Sequence, residues 1–260
     1  MISFSRRCCG WVSYVGTAAI VIGLFATTGW TASAVPSDEP VPPTLEKAIE
    51  QYIRTHPEVI EQSLQDLEAK REAEEKARQK VALANRQQDL LHDPSSPVSG
   101  NQKGTITLIE FFDYRCGFCK RAADAVTQLQ KDDPRVRVVY KDFPILGEAS
   151  ELAAKAALAS AAQGKHQAFH EALLALKGEM TKESILTTAT EVGLDAKRLE
   201  ADMRNPEWDR AIEKNRSLAR DLGISGTPGF IVGTELVPGA LDVNGLKDLV
   251  TRAGVSNRQP

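Results

Sequence analysis

Apolar positions begin to recur at helical spacing near residue 44, where Leu45, Ala48, Ile49, Tyr52 and Ile53 fall on one face. Thr55-His56-Pro57-Glu58 interrupts the pattern. Thr55 with Glu58 three residues on has the form of a capping box, and Pro57 suits a first helical turn, so a second helix is expected to start there. Its stripe opens with Ile60, Leu64 and Leu67, then meets Arg71, Glu74 and Arg78 before Val81. A helix continuing on that register to about residue 91 must be solvated in its middle, held by pairs such as Glu74 with Arg78. At 1.5 Å per residue, roughly 35 residues would reach about 50 Å, the dimension of a spacer. Two short helices cannot build a core alone. The apolar positions of 44–67 therefore need either the main domain or copies of themselves, and the charged spacer favours copies. The same charge-rich composition also suits a frayed helical tail.

Residues 93–104, rich in Pro, Ser and Gly, read as a domain boundary. Beyond it, 105–112 reads as a buried β-branched and aromatic strand, followed by a helix to about 130 and a second strand at 136–140. Residues 148–205 read as helical, Ala-rich and broken at Gly193, and 207–222 as a further helix. A short hairpin is expected at 230–232 and 235–237 around Gly233, then a last helix at 242–252. This order predicts an α/β domain over 93–260 with a helical insertion at about 148–205.

The first 34 residues have a different character. Arg6 and Arg7 precede an uncharged apolar run at 11–25, and Ala32-Ser33-Ala34 supplies small residues where a signal peptidase reads. Charged, apolar, small is the order of a secretory signal, and cleavage is expected after Ala34. Gly16, Thr17 and Gly23 dilute a run already short for a bilayer span. Residues 35–43, with four prolines, read as a linker, and 44–92 as a helical oligomerisation segment and spacer. Cleavage would leave 226 of the 260 residues and 30 of the 32 basic side chains against 35 acidic ones, a net charge of −5. That balance argues against a nucleic-acid partner.

Cleavage would also remove Cys8 and Cys9, leaving only Cys116 and Cys119. In an exported protein, a lone C-x-x-C is a redox pair or half of a metal site. Structural zinc needs four ligands, and no further cysteine is available. His166 and His170 are four apart but enclose Gln167-Ala168-Phe169, without the zincin glutamate, so they read, like His56 and His92, as ordinary residues. No metal or cofactor is expected, although two thiolates could hold copper(I) transiently. The pair lies in Phe111-Phe112-Asp113-Tyr114-Arg115-Cys116-Gly117-Phe118-Cys119-Lys120, where a strand gives way to a helix. Free amides and the dipole at a helix N-terminus stabilise a thiolate, the attacking species in disulfide exchange. Cys116, nearest that terminus, is the expected nucleophile, and Cys119, one turn further in, the resolving thiol.

With Gly226-Thr227-Pro228-Gly229 downstream, the sequence from about 93 to 254 resembles the thioredoxin superfamily, and within it the DsbA-like proteins. The resemblance implies a thioredoxin-like fold in which Thr227-Pro228 forms a cis-proline loop against the active site. An X–Pro bond is the plausible place for a cis peptide. It also implies that Glu110 is a buried acid exchanging protons with Cys119. Strongly oxidising relatives carry a histidine before the second cysteine. Gly117-Phe118, without charge, and Thr227 before the proline instead resemble the periplasmic disulfide isomerases. Residues 44–91, above all Tyr52-Ile53-Arg54-Thr55-His56-Pro57-Glu58-Val59-Ile60, resemble the oligomerising segment of ScsC-type proteins, which favours a trimer over a dimer. The resemblance thus implies a periplasmic homo-oligomer that acts as an isomerase or reductase on exported, cysteine-bearing clients and is kept reduced by a membrane-embedded reductase. A DsbA-like oxidase, and a copper-binding or client-holding protein, are the alternatives.

Overall fold

The structure, a computed structural model, describes residues 42–256, with side chains described to residue 253. The expected signal segment, its cleavage after Ala34 and most of the 35–43 linker lie outside the described residues. The chain divides into two compact units between Ile60 and Glu61. Among the described residues no helix is long and apolar enough to cross a membrane.

The first unit contains α1 (Pro43–Thr55), which opens with a proline in its first turn. None of its residues is buried. Leu45, Ile49, Tyr52 and Ile53 lie exposed along it, while Arg54 pairs with Glu50 on the helix surface. The Thr55 hydroxyl donates to the carbonyls of Gln51 and Tyr52. It therefore closes α1, and does not cap the following helix as the Thr55–Glu58 spacing suggests. Tyr52 stacks on His56 with ring centroids 4.3 Å apart, filling the corner.

Helix α2 (Glu58–Asn85) is exposed over most of its length, as its charged middle requires. Among the described residues its surface ion pair is Glu72 with Lys76, in place of the expected Glu74 with Arg78. It ends at Asn85, short of the expected 91, and α3 (Gln87–Leu91) follows after Arg86. Leu83 and Leu90 are buried with Ile109, Phe111 and Ile231. The last turns of the expected spacer are thus part of the second unit's core, because two leucines there outweigh the charges before them.

The core of the second unit is a five-stranded sheet in the order β1-β3-β2-β4-β5: β1 (Val98–Gly100), β2 (Ile106–Phe112), β3 (Val136–Asp142), β4 (Gly229–Val232) and β5 (Glu235–Pro238). Strands β2 and β3 are parallel, joined by the crossover helix α4 (Gly117–Asp132), and the remaining pairs are antiparallel. Both faces are covered, so β2 is apolar almost throughout. Leu108 and Phe112 face a core built with Val126 and Leu129 of α4 and Leu246 and Leu249 of α10 (Val243–Ser256). Ile109 and Phe111 face Leu218 and Leu222 around α9 (Pro206–Asp221). Between β3 and α9 the chain inserts α5 (Glu148–Ser160), α6 (His166–Ala175), α7 (Lys182–Glu191) and α8 (Ala196–Asp202). The expected break at Gly193 is present, with φ at +77° in the left-handed region that glycine tolerates. This is the expected α/β architecture with a helical insertion.

Segment α3 is tied to the sheet by a buried cation. Lys141 of β3 is fully buried, and its Nζ donates to the Asp89 carbonyl at 2.5 Å and to Ser96 Oγ at 2.7 Å, with Asp93 at 3.7 Å. Burial pulls its pKa down to about 8, against the pull of Asp93. Lys214 bridges Asp89 and Asp93 from α9. Lys141→Met is expected to lower stability by about 2 kcal/mol, the cost of leaving these acceptors and Asp93 poorly satisfied in the interior. An unchanged urea midpoint would show that the lysine does not hold this segment.

Candidate active site

Strand β2 delivers the chain to the site, and Asp113 fixes the turn that follows. Its carboxylate accepts from the Arg115 amide at 2.7 Å and from the Ile145 and Leu146 amides at 2.9 and 3.0 Å, binding the turn to the segment after β3. Arg115 closes the same bridge by donating to the Leu146 carbonyl. Cys116 then stands as the N-cap of α4, in extended conformation, with its Sγ accepting from the Cys119 amide at 3.4 Å. Cysteine thus takes the place usually held by serine or aspartate, and the Cys119 amide of the first helical turn points at its sulfur.

Both cysteines are free thiols. Cys116 retains 6% exposure and Cys119 none, so only the first presents its sulfur to an incoming molecule. Burial pushes the Cys119 thiol far above its ordinary pKa, with the Cys116 and Glu110 charges acting in the same direction. The Thr227–Pro228 peptide is cis. Cys116 Sγ donates to the Thr227 carbonyl at 3.2 Å, so the cis-proline loop lies directly on the first cysteine. Gly117 and Phe118 follow in the first turn of α4. Phe118 is 57% exposed, an unusual position for so large an apolar ring. The Arg121 guanidinium sits 4.2 Å from that ring's centroid, a cation–π contact that the uncharged dipeptide alone did not reveal.

Glu110 lies on the same face of β2 as Leu108 and Phe112, beneath α4. It is buried, its Oε1 has no hydrogen-bond partner among the described residues, and burial pushes its pKa up to about 8. The structure thus brings together all seven residues singled out from sequence: Glu110, Cys116, Gly117, Phe118, Cys119, Thr227 and Pro228.

Two features of the neighbourhood were not anticipated. Asp142, opposite Phe112 at the end of β3, is a further buried acid. Neither carboxylate oxygen has a partner among the described residues, and burial, reinforced by Asp113, raises its pKa to about 8. The second is Tyr114, within the active-site turn, whose hydroxyl shares a hydrogen bond of 2.9 Å with Nδ1 of buried His170 in α6. That bond ties the turn to the helical insertion, so His170 is more than the ordinary helix residue its spacing suggested. His166 packs against it with ring centroids 5.7 Å apart, and burial holds His166 down to about 4. Among the described residues no cluster of three or more His, Cys, Asp or Glu side chains is placed to hold a metal ion.

Residues 107–251 match the family described as the DSBA-like thioredoxin domain. The structure is similar to a thioredoxin-like oxidoreductase from Silicibacter pomeroyi DSS-3, with 46% identity and a TM-score of 0.63, over 65% of this chain and 97% of that one. It is also similar to a linker-deletion mutant of ScsC from Proteus mirabilis, with 25% identity and a TM-score of 0.65, over 85% of this chain and 100% of that one. Among curated proteins, the chain is 29% identical over 163 residues to the sodium/proton antiporter NhaA 1 of Salinispora arenicola. That match takes in 62% of this chain, which spans only a quarter of the antiporter's length.

Proposed function

The chain belongs to the DSBA-like thioredoxin domain family and is a thiol–disulfide oxidoreductase of the DsbA and ScsC type, and from that premise we propose that it acts as a disulfide isomerase and reductase on exported proteins. The observation that carries the chemistry is the Cys116 sulfur, N-cap of α4 and 3.2 Å from the Thr227 carbonyl of the cis-proline loop, with Cys119 buried behind it.

The Cys116 thiolate attacks one sulfur of a client disulfide. The client S–S bond breaks, a mixed disulfide forms, and the other client sulfur leaves as a thiolate. Two fates follow. If a second client thiolate attacks the Cys116-linked client sulfur, a new client disulfide forms, Cys116 leaves as thiolate, and no net electrons have moved. If Cys119 attacks Cys116, the enzyme becomes the disulfide and the client receives two electrons. Cys119 can attack only after losing its proton, which burial opposes. Glu110 is protonated in most molecules below its pKa of about 8, and its ionised minority takes that proton near neutral pH and returns it on the next cycle.

The absence of charge from Gly117-Phe118 supports the isomerase direction, since nothing in the dipeptide favours holding the reduced thiolate as a strong oxidant does. The exposed leucine and isoleucine face of α1 supports self-association, with a trimer as the proposed state. The ScsC alignment also supports it, because 85% of this chain is more than the catalytic domain alone and takes in part of the N-terminal helices. An oligomer would place several thiol pairs near one bound client. The N-terminal charge and hydropathy pattern supports a periplasmic location. Continued isomerase activity there requires a reductant, proposed to be a membrane-embedded reductase.

The test is recovery of activity from scrambled, fully oxidised ribonuclease by the reduced protein lacking residues 1–34. Recovery is expected, and should be weaker in a chain also lacking 44–60. No recovery, together with rapid oxidation of reduced ribonuclease by the disulfide form, would establish a DsbA-like oxidase instead. Binding of clients or copper without exchange would favour the holding reading.

A further inference from the structure

Beside the cis-proline loop lies a cleft of about 810 Å³. Its floor is apolar, made by Ile224, Pro228, Leu236 and Pro238, with the exposed Phe118 ring at the edge. Its far wall is the charged stretch of α2, which contributes Glu72, Glu75, Lys76 and Gln79, with the Lys76 charge met by Glu72. Gln79 donates to the Leu222 carbonyl at 3.1 Å, and Leu83 one turn later is buried, so this wall is anchored to the catalytic unit. Arg121 stands on the α4 side of the same cleft. Glu72 is paired with Lys76, whereas Glu75 makes no ion pair among the described residues.

Resting on the redox reading above, we propose that α2 is a specificity wall and that the cleft takes an extended, apolar segment of an unfolded client, with a basic residue of that segment against Glu75. The volume suits a few side chains and not a folded partner. A client sulfur must reach Cys116, whose Sγ touches Thr227 at the cleft's inner edge, so chain flanking the client cysteine has to run into this space. An apolar floor accepts the residues that only unfolded clients expose. The acid on the α2 side and the base on the α4 side then fix which way that segment lies, since opposed charges set register more than affinity. On this view the charged stretch of α2, which reads from sequence as a passive spacer, selects clients.

The experiment uses the reduced full mature chain and two synthetic peptides, each with one cysteine in an apolar context, blocked as a disulfide with a small thiol. One peptide carries lysine and the other glutamate at the same flanking position. The readout is the ratio of their cleavage rates, which cancels any change in thiol reactivity itself. The native protein is expected to prefer the lysine peptide, and Glu75→Lys to lower the ratio by about threefold to tenfold, the scale of an exposed charge contact turned from attraction to repulsion. In 1 M salt the native ratio should approach one, because screening then acts over about 3 Å. A ratio unmoved by Glu75→Lys and by salt would overturn the wall. A ratio that changes with protein concentration would mean that a second copy fills the cleft, and would overturn it equally. If the native protein cleaves neither peptide nor a small aromatic disulfide, the redox reading itself fails and takes this proposal with it.

Discussion

Cys119→Ser is expected to arrest the reaction midway. The variant should cleave a client disulfide once and remain joined to the client through Cys116, so that a 1:1 adduct, sensitive to reductant, accumulates on a non-reducing gel. Cys116→Ser is expected to lose client cleavage by at least about a thousandfold, because a serine hydroxyl cannot supply a thiolate-like nucleophile near neutral pH. The asymmetry follows from the geometry. Cys116 Sγ caps α4 and meets the cis-proline loop, while Cys119 is fully buried and reachable only from within the protein. If adducts accumulated on Cys116→Ser and not on Cys119→Ser, the assigned order of attack would be reversed. If neither variant trapped a client while both kept client binding, the thiols would be holding and not exchanging. Isomerisation completed by a second client thiol does not need Cys119, so some recovery of scrambled ribonuclease by Cys119→Ser is compatible with the proposed mechanism. Net reduction is not.

What the sequence disclosed and what it hid divide along physical lines. Cys116, Cys119, Thr227 and Pro228 were legible because each has a chemistry or backbone geometry that few residues supply. The sheet strands were legible because burial on both faces leaves an almost unbroken apolar run in β2. Where a property depends on a residue distant in the chain, periodicity is silent. Lys141 in Val-Arg-Val-Val-Tyr-Lys-Asp reads as a strand end, yet its charge is buried because Asp89, Ser96 and Asp93 arrive from 45 or more residues earlier. Tyr114 with His170 joins positions 56 apart. The end of the spacer is hidden in the sequence for the same reason. Leu83 and Leu90 fit no long amphipathic stripe, and only the sheet's second face explains their burial. Glu110 is the intermediate case. Its apolar neighbours Leu108, Ile109, Phe111 and Phe112 indicated burial, but not that its Oε1 would lack a partner among the described residues.

That missing partner gives Glu110→Gln a large and pH-dependent effect. The carboxyl titrates near 8 in the folded protein because burial disfavours its charged form, against an ordinary value of 4.5. The folded chain therefore keeps a proton that the unfolded chain releases, and stability falls as pH rises from about 4.5 to about 8, at roughly 1.4 kcal/mol per unit. Glutamine removes this linkage. At pH 4.5 the native and Glu110→Gln proteins should unfold at nearly the same urea concentration, and at pH 7 the variant should be more stable by about 3 kcal/mol. Asp142 has the same sign of shift, so both curves still slope, and it is their difference that isolates Glu110. The gain in stability should accompany a loss of function. Without a group to take the Cys119 proton, resolution of the mixed disulfide should slow by about a hundredfold, the usual scale for a general base, while the first attack by Cys116 keeps its rate. Equal stability differences at pH 4.5 and 7 would show that Glu110 is ionised in the fold. A stabilised variant that resolves mixed disulfides at the native rate would leave Glu110 buried but remove it from the proton path, and another group would have to serve Cys119.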